Sequence, residues 1–289
     1  MIKVLINGKA ADCVASTDRG LLYGDGLFET IAVVDGLMRH WPRHLSRLQV
    51  GCDRLGIATV DGAALAHECQ SLAGDADKAV LKVIVTRGSG GRGYRLPDKP
   101  SPTRIVQLHD WPAYSPACAE HGVAVRVCNT RLGHHPVLAG IKHLNRLEQV
   151  LARQEWGDAD FMEGLLLDSA GYLIEGTMSN LFLVRDETLL TPDLHRCGVA
   201  GIIRTRVLEL AEQLPIDVQI GPVEMQHLQA ADEVFICNSL IAIWPVIAVD
   251  ASDYKISDYK TRAYKKGAVT AQLQALLDSC PDTGNNWQT

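Results

Sequence analysis

The sequence predicts an α/β protein of two domains joined by a short linker. Three observations carry this. The chain has 289 residues, enough for one large or two medium domains. Short apolar runs bounded by turn residues alternate with stretches of helical apolar spacing. Residues His109 to Gly122, with two prolines and several small residues, separate two such alternating halves. The expected division is a smaller N-terminal α/β domain over 1–112, a linker over 113–121 and a larger C-terminal domain over 122–289.

Composition narrows the function. The apolar fraction of 47% supports a real core. A net charge of −6 argues against nucleic acid or an anionic membrane as the main partner, because both select a basic surface. No apolar run is long enough to span a bilayer, and Met1–Gly8 reads as a strand and turn, not a signal peptide. Eight cysteines occur without a C-x-x-C pair, so neither a zinc site nor a disulfide framework is expected. Together these predict a soluble, cytoplasmic, reduced protein.

In chain order, Val4–Ile6 is a strand leading into the Asn7-Gly8 turn. Glycines 20, 24 and 26 punctuate a loop, and Ile31–Val34 resumes a strand before Asp35-Gly36. Trp41-Pro42 opens a helix, with Pro42 in its first turn and Leu45, Leu48, Cys52 and Leu55 as its buried stripe. Arg47 flanks that stripe. It can lay its stem along apolar surface, or aim its planar guanidinium at a phosphate. A second helix runs from Gly62 to Leu72, and a buried strand from Ala79 to Val85. The strand enters Arg87-Gly88-Ser89-Gly90-Gly91-Arg92-Gly93-Tyr94. This is not a Walker loop, since it lacks the G-K-[ST] ending, yet a cationic loop after a strand can hold a carboxylate. Thr103–Leu108 is the last strand of the first half.

The second half opens with the strand Val123–Val127 and passes through His134-His135-Pro136. No acidic or thiol partner lies at a useful spacing, so these read as loop histidines and no metal site is expected. Lys142 follows Gly140 and precedes an amphipathic helix on which Leu144, Leu147 and Leu151 recur. Such a lysine is either a solvated surface cation or a partly desolvated amine able to form a Schiff base. Gly164–Leu167, the turn Asp168–Gly171 and Tyr172–Ile174 form a hairpin ending at Glu175, which is either a strand-end carboxylate in water or a functional group. Cys197-Gly198-Val199-Ala200-Gly201-Ile202-Ile203-Arg204 is a glycine-containing turn feeding a helix, and the exposed N–H groups at a helix N-terminus form an anion site. The strand Val234–Cys237 ends in Asn238-Ser239, whose side chains can donate to the same anion. Trp244–Val249 and a helix from about Thr261 to Leu277 complete the fold, and Pro281–Thr289 read as frayed.

Two segments carry a resemblance. Leu138-Ala139-Gly140-Ile141-Lys142-His143-Leu144-Asn145-Arg146-Leu147-Glu148-Gln149-Val150, together with Arg87–Tyr94, resembles the pyridoxal-phosphate enzymes of fold type IV. That group contains branched-chain aminotransferases, D-amino-acid aminotransferases and aminodeoxychorismate lyases. The likeness runs from about Ile6 to Val246 and is strongest to the lyase branch. It implies two α/β domains with the cofactor site between them, a homodimer, and pyridoxal 5′-phosphate as cofactor. It implies Lys142 as the catalytic lysine that carries the cofactor, and Glu175 beside the pyridine nitrogen, keeping it protonated so that the ring acts as an electron sink. It implies Arg47, the amides of Ile202 and Ile203, and Ser239 at the phosphate, with Asn238 as a further candidate. Substrate contacts fall to Arg92, Tyr94, Phe28 and Thr30.

The chain departs from the D-amino-acid aminotransferase pattern. Where those enzymes hold the substrate carboxylate with a tyrosine and an Arg-x-His pair, this sequence has Phe28, and Arg92 with Tyr94. The reading is therefore a lyase that converts 4-amino-4-deoxychorismate into 4-aminobenzoate and pyruvate for folate biosynthesis. An aminotransferase of the same fold and a non-catalytic cofactor-binding protein are the alternatives.

Overall fold

The computed structural model describes residues 3–157, 161–252 and 262–279. The chain divides into two compact units. The first takes in the chain up to Ala113 and also Ile141–Asn145; the second takes in Tyr114–Gly140 and the described residues from Arg146 on.

The first unit is one antiparallel sheet with helices on one face. Its strands are β1 (Lys3–Ile6), β2 (Lys9–Ala10), β3 (Gly26–Val34), β4 (Leu37–Met38), β5 (Lys78–Thr86) and β6 (Thr103–Asp110), ordered β2-β1-β6-β5-β3-β4. The helices are α1 (Arg19–Tyr23), α2 (Trp41–Leu55) and α3 (Gly62–Ala73). Strand β3 alternates as a pleat requires. Leu27, Ile31 and Val33 are buried, and so is Glu29, which shares their face, while Phe28 and Thr30 on the other face are half-buried. Leu48 and Cys52 of α2 and Leu65 and Cys69 of α3 contribute to the core of this unit. Leu45 and Leu55 are only half-buried, and His44 takes the place on the buried stripe that apolar spacing could not assign. Helix α3 begins at Asp61, whose carboxylate accepts from the N–H groups of Ala63 and Ala64.

The second unit is a nine-stranded sheet of β7 (Val123–Leu132), β8 (Glu163–Asp168), β9 (Leu173–Gly176), β10 (Asn180–Arg185), β11 (Thr188–Pro192), β12 (Asp217–Gly221), β13 (Glu233–Asn238), β14 (Ala242–Asp250) and β15 (Arg262–Ala263). The order is β12-β11-β10-β13-β14-β7-β8-β9, with β15 on β14, and β9 returns to pair with β10. That last pairing, Glu175 with Asn180, closes six strands into a ring. The interior of the unit holds Val125, Leu165, Leu181, Ile236 and Trp244. A second cluster holds Phe182, Phe235, Val207 and Leu273, with the two phenylalanine rings stacked at 4.9 Å.

Helices α4 (Ala117–His121), α5 (Leu147–Arg153), α6 (Ile202–Ala211), α7 (Met225–Ala230) and α8 (Ala268–Ser279) belong to this unit. Helix α4 occupies part of the stretch expected to be a plain linker. The last helix starts at Ala268, later than composition suggested, and Pro281–Thr289 lie outside the described residues. The largest correction concerns α5. Leu144 precedes it, Leu147 is 69% and Leu151 48% exposed, and the side chain it buries is Ala152. Helical spacing identifies an apolar face but not what covers it. Among the described residues, no helix is long and apolar enough to cross a membrane.

Candidate active site

In the first unit the segment carrying Lys142 lies along the start of β3. The Phe28 N–H donates to the Lys142 carbonyl at 2.9 Å, and the Leu144 N–H to that of Gly26 at 3.0 Å. These bonds fix the backbone of Lys142, and its half-buried side chain puts Nζ 4.5 Å from the centroid of the Phe28 ring. Across the sheet Phe28 pairs with Ile84 and Thr30 with Lys82, so all four share one face. Lys82 Nζ lies 5.7 Å from the same ring. Nothing in the local sequence singled out Lys82; the strand register reveals it.

Arg47 descends from α2 onto Glu29. Its Nε donates to Oε1 at 2.8 Å and its Nη2 to Oε2 at 2.5 Å. His44, one turn earlier, contacts Oε2 through Nδ1 at 2.6 Å. Burial alone would raise the Glu29 carboxyl, but the Arg47 charge and the bonds from His44 and Arg47 hold it down at about 2. Burial pulls the His44 imidazole below its ordinary value, opposed by its bond to Glu29. Glu29 thus fixes the plane of the Arg47 guanidinium, a role the apolar pattern hides because one polar residue on a strand face reads as an interruption.

Arg92 and Tyr94 are exposed, Tyr94 at 84%. Their loop is held by Arg19, which donates to the carbonyls of Gly93, Tyr94 and Arg95 while binding Asp25 through Nε at 2.8 Å. Arg87 completes this knot with its own contacts to Asp25 at 2.7 and 3.0 Å.

In the second unit Glu175 is 4% exposed and accepts from the Val199 N–H at 2.8 Å. It is therefore buried and aimed, unlike a strand-end carboxylate in water. Asn180 Nδ2 donates to the Val199 carbonyl at 2.9 Å. The Gly140 N–H donates to the Gly198 carbonyl, and the Ala200 N–H to that of Gly140. The backbone of Gly140 is thereby tied to the segment that holds Glu175. Two arginines act electrostatically on this carboxylate, and sequence reading missed both. Burial lowers the guanidinium of Arg146, against Glu175 and Glu148. It lowers that of Arg204 too, against Cys237, Asp193 and Glu175. Arginine stays cationic in either case, so two positive charges act on Glu175.

Helix α6 starts after Gly201, which supplies no side-chain cap, so no side-chain group occupies the amides of Ile202 and Ile203 from that position. A Cβ at Gly201 would fall 2.0 Å from Asn180 Oδ1, so only glycine fits. Asn238 is largely used in its own turn. Its Oδ1 accepts from the N–H groups of Leu240 and Ile241, and Nδ2 donates to the Met178 carbonyl. Ser239, next to it, is half-buried.

Glu163 was not foreseen. Fully buried, it accepts from the N–H groups of Gly164, Thr177 and Met178 and from the hydroxyls of Thr177 and Ser179. It anchors the loop that follows Glu175. The loop histidine His134 also gains partners that sequence spacing denied it. Leu132 of β7 pairs with Asp168 of β8, so His134, two residues further on, reaches Asp168.

In the first unit a half-buried amine stands over an aromatic ring, and the second unit holds a buried carboxylate and a helix start whose cap residue, Gly201, offers no side chain. The chain belongs to the amino-transferase class IV family, whose model matches residues 26–249. Among its relatives, aminodeoxychorismate lyase of Vibrio harveyi is 37% identical over 274 residues, which cover 95% of this chain and 99% of that protein. The crystal structure of 4-amino-4-deoxychorismate lyase from Pseudomonas aeruginosa is 47% identical with a TM-score of 0.89, covering 96% of this chain and 99% of the other. Branched-chain amino acid aminotransferase of Escherichia coli, at 25% identity and a TM-score of 0.82, covers 99% and 97%.

Proposed function

We propose that the protein is a pyridoxal-phosphate-dependent lyase that cleaves 4-amino-4-deoxychorismate to 4-aminobenzoate and pyruvate. The observation that carries this is the Lys142 amine held against Phe28, in a chain 47% identical to the Pseudomonas enzyme of that activity. The residues present suit the cofactor's three handles. Lys142 would hold its aldehyde carbon, Glu175 its ring nitrogen, and Arg47 with the first amides of α6 its phosphate, Ser239 assisting. Bound there, the cofactor supplies an electron sink for charge that develops beside the substrate nitrogen.

The chain's own groups do the rest. Lys142 moves the proton from the ring carbon that bears the amino group. Glu175 is the carboxylate to set beside the cofactor nitrogen, where a negative charge favours the protonated ring. Phe28 gives Lys142 an apolar wall and cannot hydrogen-bond an α-carboxylate. Arg92, Tyr94 and Thr30 are the substrate contacts. Enolpyruvate leaves from the neighbouring carbon as the ring becomes aromatic, and takes up a proton at its methylene carbon to become pyruvate.

Steady-state kinetics on one preparation test the proposal. Pyruvate and 4-aminobenzoate release from aminodeoxychorismate should exceed D-alanine or leucine transamination in kcat/KM by at least about 100-fold, the scale set by a missing polar partner in the pocket. If either amino acid is the better substrate, the protein is an aminotransferase.

A further inference from the structure

A cluster outside this site brings together three metal-ligating groups. One ring nitrogen of His134, one carboxylate oxygen of Asp168 and Sγ of Cys197 all lie within 4.8 Å of one another. They come from three separate segments: the loop after β7, the end of β8 and the turn before α6. Asp168 is held for the purpose. Its Oδ1 accepts from the N–H groups of Ala170 and Tyr172, each at 2.9 Å, which turns Oδ2 toward His134 Nε2 at 2.7 Å. Cys197 is buried in a cluster with Leu132, Ile174 and Cys128, while His134 keeps one side toward solvent. An ion therefore has a way in and a protected seat.

We propose that His134, Asp168 and Cys197 bind one zinc-class divalent cation. Thiolate, imidazole and carboxylate together suit zinc, and three protein ligands leave a fourth position for water. With bonds of about 2.0–2.3 Å, tetrahedral ligands stand roughly 3.5 Å apart. The His134–Asp168 bond must open slightly and the more distant ligand atoms draw in.

Cys197 is buried, and a reactive nucleophile requires open access, so a Cys-His-Asp nucleophile does not fit this cluster. The protons balance simply. Cys197 releases one on binding, and the proton that His134 Nε2 shares with Asp168 leaves that nitrogen, so that the imidazole binds as its Nδ1–H tautomer. Cys197 lies two residues before Val199, so the ion stiffens the turn that holds Glu175.

The test uses full-length, cofactor-loaded protein stripped of metal and titrated with zinc. One equivalent should bind, zinc-edge X-ray absorption should show one sulfur at about 2.3 Å, and the melting temperature should rise with zinc. Cys197→Ser should lose the sulfur. His134→Ala should weaken binding by at least about 100-fold, the upper range seen even for outer-shell losses, whereas His135→Ala should bind as the unaltered protein does. A zinc shell without sulfur, or His134→Ala retaining full affinity, overturns the proposal. Should Cys197→Ser fail to fold, the solvent-facing His134→Ala supplies the decisive measurement.

Discussion

Glu175 and Asn180, partners across the β9–β10 register, grip opposite ends of Val199: Glu175 accepts its N–H and Asn180 donates to its carbonyl. The pair that closes the ring of strands also sets the height of the carboxylate. Asn180→Ala should cost about 1 kcal/mol, the net worth of one such hydrogen bond, and should free Glu175 from its aim. Thermal unfolding reads the first effect. Cofactor affinity reads the second, and an unchanged affinity would mean that Asn180 only stabilises the sheet.

Lys142→Ala should leave the fold intact, because what holds this segment to β3 is its backbone. Borohydride reduction should no longer attach the cofactor to the protein, and turnover should vanish. A variant that still traps the cofactor covalently and turns over would remove Lys142 from its role.

Arg47→Ala has two separable consequences. It strips the buried Glu29 carboxylate of its cation, a change that costs about 3–5 kcal/mol in such settings. It should also weaken cofactor binding by about 10- to 100-fold, from the loss of a charge-assisted contact of roughly 1.5–3 kcal/mol. Adding Glu29→Gln should restore much of the stability and none of the affinity. Unfolding of the cofactor-free protein and cofactor titration distinguish the two.

The same cluster sets an acid limit. Glu29 is held at about 2 in the fold against an ordinary 4.5, so its contribution is complete above the ordinary value and fades as pH falls toward the lowered one. His44, lowered from 6.5, adds a loss in the same direction, since below that value the unfolded chain binds the extra proton more readily. Melting temperature should therefore fall as the solution is acidified below about 6.5 and more steeply below about 4.5. Glu29→Gln should remove the steeper phase, and a parallel acid profile for that variant would contradict the pairing.

The positions of Lys142, Glu175 and the Gly201–Ile202 helix start stand out beside turn chemistry along the chain, while the roles given to them come from the family resemblance. What stayed hidden depends on register. Glu29 shares a face with Leu27, Ile31 and Val33 and gains meaning only when α2 lowers His44 and Arg47 onto it. His134 meets Asp168 because Leu132 pairs with that residue, a neighbourhood no spacing rule predicts. Arg146 and Arg204 matter to Glu175 through charge, which carries no sequence period. Helical spacing marked an apolar stripe on α5 and could not show that Leu147 and Leu151 stand exposed.

The ring of the second unit has a consequence for the order in which the protein is made. Strand β7 pairs with β14, Val123 opposite Val246, and β13 with β10. A chain emerging from the ribosome has all six strands of the first sheet by Asp110, whereas the ring around Glu175 waits for the strand that ends at Asp250. Nascent chains that have passed Leu132 but not reached Asp250 expose the unpaired edge of β7, so chaperone capture and premature proteolysis should concentrate in that interval of translation.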